Sequence, residues 1–475
     1  MYVKNRRYVC VSYVRDLKKK FRFSAPKERK KVLVPKKMSL VKHYRTQAVR
    51  TLYIYIDPFH HYSLTLLYIY CQNRMMKRIQ ELLKLFTRSI PHGTRGLLLH
   101  NNDNEHTHTH GRKHNKEIYL DLNAGKDGRK DGESTMLFER RVGDKDLHLV
   151  LSALRTKDVK DVKEIDLRSN RIGDDGARML SEFLEWSCRV EVLRLNSNDI
   201  GEKGAIRLAK TLGTNTSLKV LNLNDNKIGK KGSLAIAKAF QTNSTLEILD
   251  LGNTDLDTGA VIELSENLRT CASLKELNLS SPTRVRKHSD VIFQHIGKML
   301  AINNTLERLT LRKSGMGDDE AEILVSYLAE NNTLRSLDLS RNSIGHVGAS
   351  ALARLLVAQS EKSHQNGCIE NLDLSANRIQ DKGALAFSVA IERDVGLKTL
   401  RLNSNSITDN GLFSLAKSIS ANSKLRSLHV WGNDFQSRSA KQFHDSFASF
   451  SSSLSISTDI KPYCVDGVWR AAKDI

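Results

Sequence analysis

From Val162 onward the chain restarts one pattern ten times, L-x-x-L-x-L-x-x-N-x-I, at Val162, Val190, Leu218, Leu246, Leu274, Leu306, Leu334, Ile369, Leu397 and Leu425. Seven of the nine steps are 28 residues; the others are 32 and 35. The second position of the pattern (Ile165, Leu193, Leu221 and onward to Leu428) is apolar in every repeat, and so is the third (Leu167, Leu195, Leu223 and onward to Val430). A spaced L-x-L pair has the period of a strand with one buried face. The stretch after it, as in residues 204–212, puts Ala205, Leu208, Ala209 and Leu212 on one side of a helix. A single strand and helix cannot cover their own apolar faces, so successive repeats have to stack.

The expected fold class is therefore an α/β solenoid in which the strands form one parallel sheet and the helices a second layer. Helices need about 10 Å of width and strands about 4.8 Å, which bends the stack into a horseshoe with the sheet on its concave side and the helices on its convex side. Two polar positions belong to the same period. Asn closes the strand at Asn170, Asn198, Asn226, Asn342, Asn377, Asn405 and Asn433, where its amide can donate to and accept from neighbouring turns. Gly is expected just before the helix at Gly176, Gly204, Gly232, Gly348, Gly383 and Gly411, for want of space or for unusual backbone angles.

The formal charge of +22 is unevenly placed. Residues 1–116 hold 26 Lys and Arg against 6 Asp and Glu, whereas the remainder holds 49 against 47. Any attraction to nucleic acid is thus expected only through residues 1–116, and not through the repeats. That arm is expected to be disordered, or alternatively an extension upstream of a start at Met75 or Met76. It has no signal-peptide pattern, and Asp57, Pro58, His60 and His61 interrupt its apolar stretch 51–72, so no membrane span is expected. Six dispersed cysteines without a C-x-x-C pair fit a reduced, intracellular protein of the cytoplasm or nucleus. The expected domains are the basic arm at 1–116, an N-terminal cap at 117–161, ten repeats at 162–448 and a C-terminal cap or tail at 449–475.

With strand, helix and a 28-residue period, the chain resembles the ribonuclease-inhibitor subclass of leucine-rich repeat proteins, which also includes the Ran GTPase-activating protein. The segments 118–122 with 140–149, and 459–468, are similar to the caps of the leucine-rich repeat-containing protein 34 family. The resemblance implies a non-enzymatic scaffold that holds a protein partner on the concave face. A GTPase-regulating role of the Ran-activating type is the alternative, although residues 449–475 lack the acidic tail of that family: they carry three acidic and three basic side chains. A second alternative is association with RNA or acidic proteins through the arm.

The outward strand positions supply the candidate contact residues: Arg168, Arg194, Asp250, Arg308, Arg312, Asp338, Asp373, Arg401, His429 and Trp431. Exposed Trp and Arg anchor interfaces, which singles out Trp431 with Arg401 and His429, although Trp431 could instead pack beneath the C-terminal cap. Repeats four to six replace the Asn by Thr254, Pro282 and Ser314, and the fifth carries a basic insertion around 281–288. This stretch reads either as a tolerated gap or as a binding loop. A longer polar insertion, 360–367, reads as a surface loop.

No phosphate-binding G-x-x-x-x-G-K-[ST], no G-x-S-x-G and no H-E-x-x-H occurs, and no cofactor, metal or catalytic residue is expected. Asp257-Thr258-Gly259 copies an aspartic-protease triplet but has no second copy. The His106, His108 and His110 run, with His100 and His114, reads as a polar low-complexity loop. Asn215 and Asn331, in Asn-x-Ser/Thr triplets at the helix ends, read as turn and cap residues.

Overall fold

The computed structural model describes residues 98–100, 118–121, 141–155, 162–282, 289–362, 369–393, 395–448 and 456–474, all within the unit Val49–Ile475. The expectations for the polybasic stretch, the apolar stretch 51–72, the His106–His110 run, and the 283–288 and 363–367 portions of the two insertions lie outside the described residues. Strands β1 (Leu98–His100), β2 (Ile118–Asp121) and β3 (Val162–Asp166) lead into β4 (Val192–Arg194), β5 (Val220–Asn222), β6 (Ile248–Asp250), β7 (Glu276–Asn278), β8 (Arg308–Thr310), β9 (Ser336–Asp338), β10 (Asn371–Asp373), β11 (Thr399–Arg401), β12 (Ser427–His429) and β13 (Ser457–Thr458). Helix α1 (Asp144–Leu154) precedes β3. A helix then follows each of β3 to β12: α2 (Asp174–Trp186), α3 (Glu202–Leu212), α4 (Gly229–Ala239), α5 (Thr258–Leu268), α6 (Ser289–Ile302), α7 (Asp318–Leu328), α8 (His346–Lys362), α9 (Gln380–Glu392), α10 (Asp409–Ile419) and α11 (Ser437–Ala448).

The thirteen strands form one sheet in sequence order. Within this sheet only β1 with β2 is antiparallel among the described residues; each later pairing is parallel. β1 lies inside the stretch assigned to the arm, so the sheet begins earlier in the chain than residue 117. Register holds like positions together, Leu193 with Leu221, Leu221 with Leu249 and Leu249 with Leu277. The leucine columns are buried almost completely, and Phe183, Phe293, Phe387 and Phe443 fill the helix side of the core. A separate hairpin, β14 (Ile460–Val465) and β15 (Val468–Lys473), closes the described chain.

The asparagines form the expected ladder. Asn198 Nδ2 donates to Leu195 O (2.9 Å) in its own repeat and to Leu167 O (2.8 Å) in the one before, while its Oδ1 accepts from Ile172 N–H (2.9 Å). The residue before each ladder position is left-handed, with φ of +52° to +59° at Ser169, Ser197, Asp225, Asn253, Ser281, Lys313, Arg341, Ala376 and Ser404. That conformation turns the chain out of the strand at a cost which Asn, Asp and Gly bear best. A second set of amides ties the helix ends: Asn215, Asn243, Asn303, Asn331, Gln359 and Asn422 each donate to a last-turn carbonyl of the preceding repeat's helix.

The glycines sit inside the first helical turn instead of before the helix, and their negative φ leaves want of space as the reason among the two expected. At Gly204, Gly348 and Gly411 an acid from the repeat before crowds the position, whereas a Cβ on Gly232 would meet Ala205 Cβ and one on Gly383 would meet Ile379 Cγ2. Asp174 Oδ1 accepts from both Gly201 N–H (2.9 Å) and Gly204 N–H (2.7 Å), capping α3 from the side. A Cβ on Gly204 would lie 2.8 Å from that oxygen and 2.9 Å from Ala177 Cβ. Asp318 caps α8 through Gly345 and Gly348 in the same way, and Asp381 caps α10 through Thr408 and Gly411. Alanine would ordinarily favour a helix by up to about 1 kcal/mol. Here Gly204→Ala is expected instead to cost about 1–3 kcal/mol through overpacking, read from denaturant midpoints; a gain in stability would show that the lateral cap tolerates displacement.

Among the described residues, repeats four and six make neither the amide link nor the lateral acid cap to the repeat before them, and they satisfy those groups locally. Thr254 Oγ1 donates to Leu251 O and Ser314 Oγ to Leu311 O, each within its own repeat. Asp257 caps its own helix α5 at Ala260 N–H, and Glu320 reaches back to Gly317 N–H at the start of α7. The ladder gap is closed by these hydroxyls, while the Asp257 triplet is a helix cap.

Candidate partner-binding face

Three outward positions per repeat line the sheet. Across the sheet the central row reads Asp166, Arg194, Asn222, Asp250, Asn278, Thr310, Asp338, Asp373, Arg401 and His429, each in register with the next. The row on its N-terminal side holds the half-buried stripe Val192, Val220 and Ile248, bounded by Glu164 and Glu276.

The ten expected contact residues fall into separate groups instead of one site. At the first end of the sheet, Arg168 forks onto Asp166 (2.6–3.0 Å) and Arg194 pairs with Glu164. Asp250 stands in the middle, accepting from Gly252 N–H at 3.0 Å and Asn224 Nδ2 at 3.4 Å. Its burial raises its pKa above the usual carboxylate value, against the pull of those hydrogen bonds. Arg308 meets Glu276 at 2.8 Å, and Arg312 is exposed.

The far end brings four of the residues together. Asp338, Asp373, Arg401 and His429 occupy consecutive register positions. The two aspartates are held by backbone N–H groups two residues on, from Ser340 (2.8 Å) and Ser375 (2.9 Å). His429 hydrogen-bonds Ser427 Oγ through Nε2 at 2.7 Å, with Asp459 3.8 Å from Nδ1. Burial, with Arg401 in support, lowers its pKa despite Asp459 and Asp373, favouring a neutral ring. Trp431 is half-buried and packs against the core, with an outer part facing the same end.

The family model described as Leucine Rich repeat matches residues 160–181, 187–209, 214–237, 330–353, 365–388 and 397–416. The fold is a leucine-rich-repeat solenoid. The matched segments are repeats one to three and seven to nine; the irregular fourth to sixth and the tenth are not among them. No curated protein matches the chain. Similar solved structures include an internalin from Listeria monocytogenes, at 16% identity and a TM-score of 0.40, covering 72% of this chain and 86% of that one. Another is the tropomodulin C-terminal domain from Caenorhabditis elegans, at 19% identity and 0.28, covering 35% and 92%.

Two features of this leucine-rich-repeat solenoid escaped the repeat pattern. In repeats one to nine the residue after the repeat start alternates in sign, Lys163, Glu191, Lys219, Glu247, Lys275, Glu307, Arg335, Glu370 and Lys398, and Arg426 of the tenth breaks the alternation. Glu191 is bonded by Lys163 and by Lys219 (2.7 Å), Glu247 by Lys275 (2.8 Å) and Glu370 by Lys398 (2.8 Å). The Lys163 bond, followed by that of Lys219, holds the Glu191 carboxyl below the usual range. Reading that column down the aligned repeats would have found it. The second feature is Asp459, whose carboxylate accepts from Val430 N–H (2.9 Å) and Trp431 N–H (3.3 Å) and bonds Asn403. It stands where the next repeat's carbonyls would be, finishing the hydrogen bonding of the last repeat. It lies beyond the repeat period, so no column could reveal it.

Among the described residues, no helix is long and apolar enough to cross a membrane.

Proposed function

We propose that the protein is a non-enzymatic scaffold that binds a protein partner on the sheet face, with its principal contact at Asp373, Arg401, His429 and the outer part of Trp431. The observation that carries this reading is the register of those residues beside the capped end of the sheet. There Asp373, Arg401 and His429 are fixed on rigid strands, with Trp431 in the turn that follows. Repeat solenoids act through such extended surfaces, and Trp and Arg are over-represented among residues that dominate binding. The resemblance of its caps to the leucine-rich repeat-containing protein 34 family supports an intracellular role, in the cytoplasm or nucleus.

The test is paired affinity capture from native lysate at low and high salt, with the full chain and with its Arg401→Glu variant as baits. A partner held by the full chain at high salt and lost by the variant, at unchanged thermal midpoint, is the expected result. Equal retention by both would place the partner elsewhere. A partner released from both by salt alone would move binding to the basic arm.

A further inference from the structure

We infer that the edge of the sheet at repeats six to eight is a docking strip for an acidic peptide segment, built from Lys313, Arg341 and Arg378 with Arg312 beside them. The inference rests on the partner's being a protein, and not on where that partner meets the face. Five cations along the sheet, Lys163, Arg194, Lys219, Lys275 and Arg308, meet carboxylates across neighbouring repeats. The four residues of the strip are exposed, and none forms an ion pair among the described residues.

They are nevertheless neighbours through the backbone. Lys313 N–H donates to Ser340 O (3.0 Å), Arg341 N–H to Ser375 O (2.8 Å) and Arg378 N–H to Ile344 O (2.8 Å), so the three turns are stitched side by side. Lys313 and Arg341 occupy equivalent positions in successive repeats, both left-handed at φ +55° and +57°. The same position in repeats two to four carries Ser197, Asp225 and Asn253, which hydrogen-bond one another. Repeats six and seven thus put two long cations side by side where others place short, mutually bonded side chains. Like charges opposed on adjacent strands destabilise a sheet, and a local cost of this kind marks a functional site.

The geometry selects the partner. Three turns at about 4.8 Å spacing span about 10 Å, and an extended peptide sets alternate side chains about 6.6 Å apart, so two or three carboxylates cover the strip. A nucleic-acid strand fits less well. The strip offers no aromatic ring for base stacking.

The test is fluorescence polarisation on the full chain with a labelled peptide of alternating Gly and Glu, its Gln counterpart, and a labelled oligouridylate. The variant Lys313→Ser, Arg341→Ser, Arg378→Ser is compared with Lys203→Ser, Lys210→Ser, Lys238→Ser, which removes the same charge from the helix side. The strip variant is expected to bind the Glu peptide at least tenfold more weakly, and the helix-side variant to change less than twofold, with the Gln peptide unbound. Equal losses in the two variants would overturn the proposal, as would oligouridylate binding that depends on the strip more steeply than peptide binding does. Lys313→Ser and Arg341→Ser made singly, each weakening the Glu peptide at least threefold, keep the test decisive if the triple variant folds poorly. The strip and the Arg401 patch share no residue, so each proposal can fail without the other.

Discussion

Leu223→Ala is expected to lower the free energy of unfolding by about 2–5 kcal/mol, as buried leucine truncations do. Leu223 is completely buried, and it is the third apolar position of its repeat, flanked by Leu195 and Leu251 in the repeats on either side. Its backbone N–H still reaches Asp250 O (2.9 Å) in the variant, so the loss is one of packing alone. A solenoid repeat contacts only its neighbours, and two interfaces are therefore weakened together. Denaturant unfolding followed by far-ultraviolet circular dichroism measures the change. A drop in the slope as well as the midpoint would show the array dividing into two separately unfolding blocks, and a change below about 1 kcal/mol would contradict the stacking register.

Asn226→Ala is expected to cost about 3 kcal/mol, and more than the same exchange at Asn198. Both amides are buried ladder rungs, but they differ in what they leave behind. Removing Asn198 orphans Ile172 N–H, while Leu167 O keeps a donor in Asn170 and Leu195 O keeps one in Asn226. Removing Asn226 orphans Ile200 N–H and also Leu223 O, which has no other donor among the described residues because Thr254 bonds Leu251 O instead. Each buried polar group left unsatisfied costs about 1–3 kcal/mol. Asn226→Thr should recover part of the loss, since Thr254 shows that a hydroxyl at this position reaches its own repeat's carbonyl. If Asn198→Ala and Asn226→Ala prove equal, the rung next to the gap carries no extra burden.

The strands, the helices and the amide ladder were legible in the sequence because each is dictated by a position that recurs every 28 residues and must be apolar or amide-bearing. The glycines were found for the same reason, and want of space was one of the two causes expected, but the group that takes the space was not. Gly204 is set by Asp174 of another repeat, and a contact between repeats is invisible when each repeat is read alone. The candidates of the central row follow the strand period, whereas Arg168, Arg312 and Trp431 lie two residues beyond the ends of their strands. That Arg168 and Arg194 are occupied by Asp166 and Glu164, while Asp373, Arg401 and His429 adjoin, depends on side-chain reach and neighbour identity, which the pattern leaves open. Asp459 stops the last repeat by imitation of a backbone, a role that any acid in the tail could have had until the chain path is known.

The alternating charges after the repeat starts have a consequence for how such a chain can grow or shrink. Removing one 28-residue repeat from the regular part would set Lys against Lys or Glu against Glu along that column. Removing two would restore every opposite-sign contact. For Lys163 to Lys275 the heritable module is accordingly the pair, and changes in length that preserve the column come in steps of two.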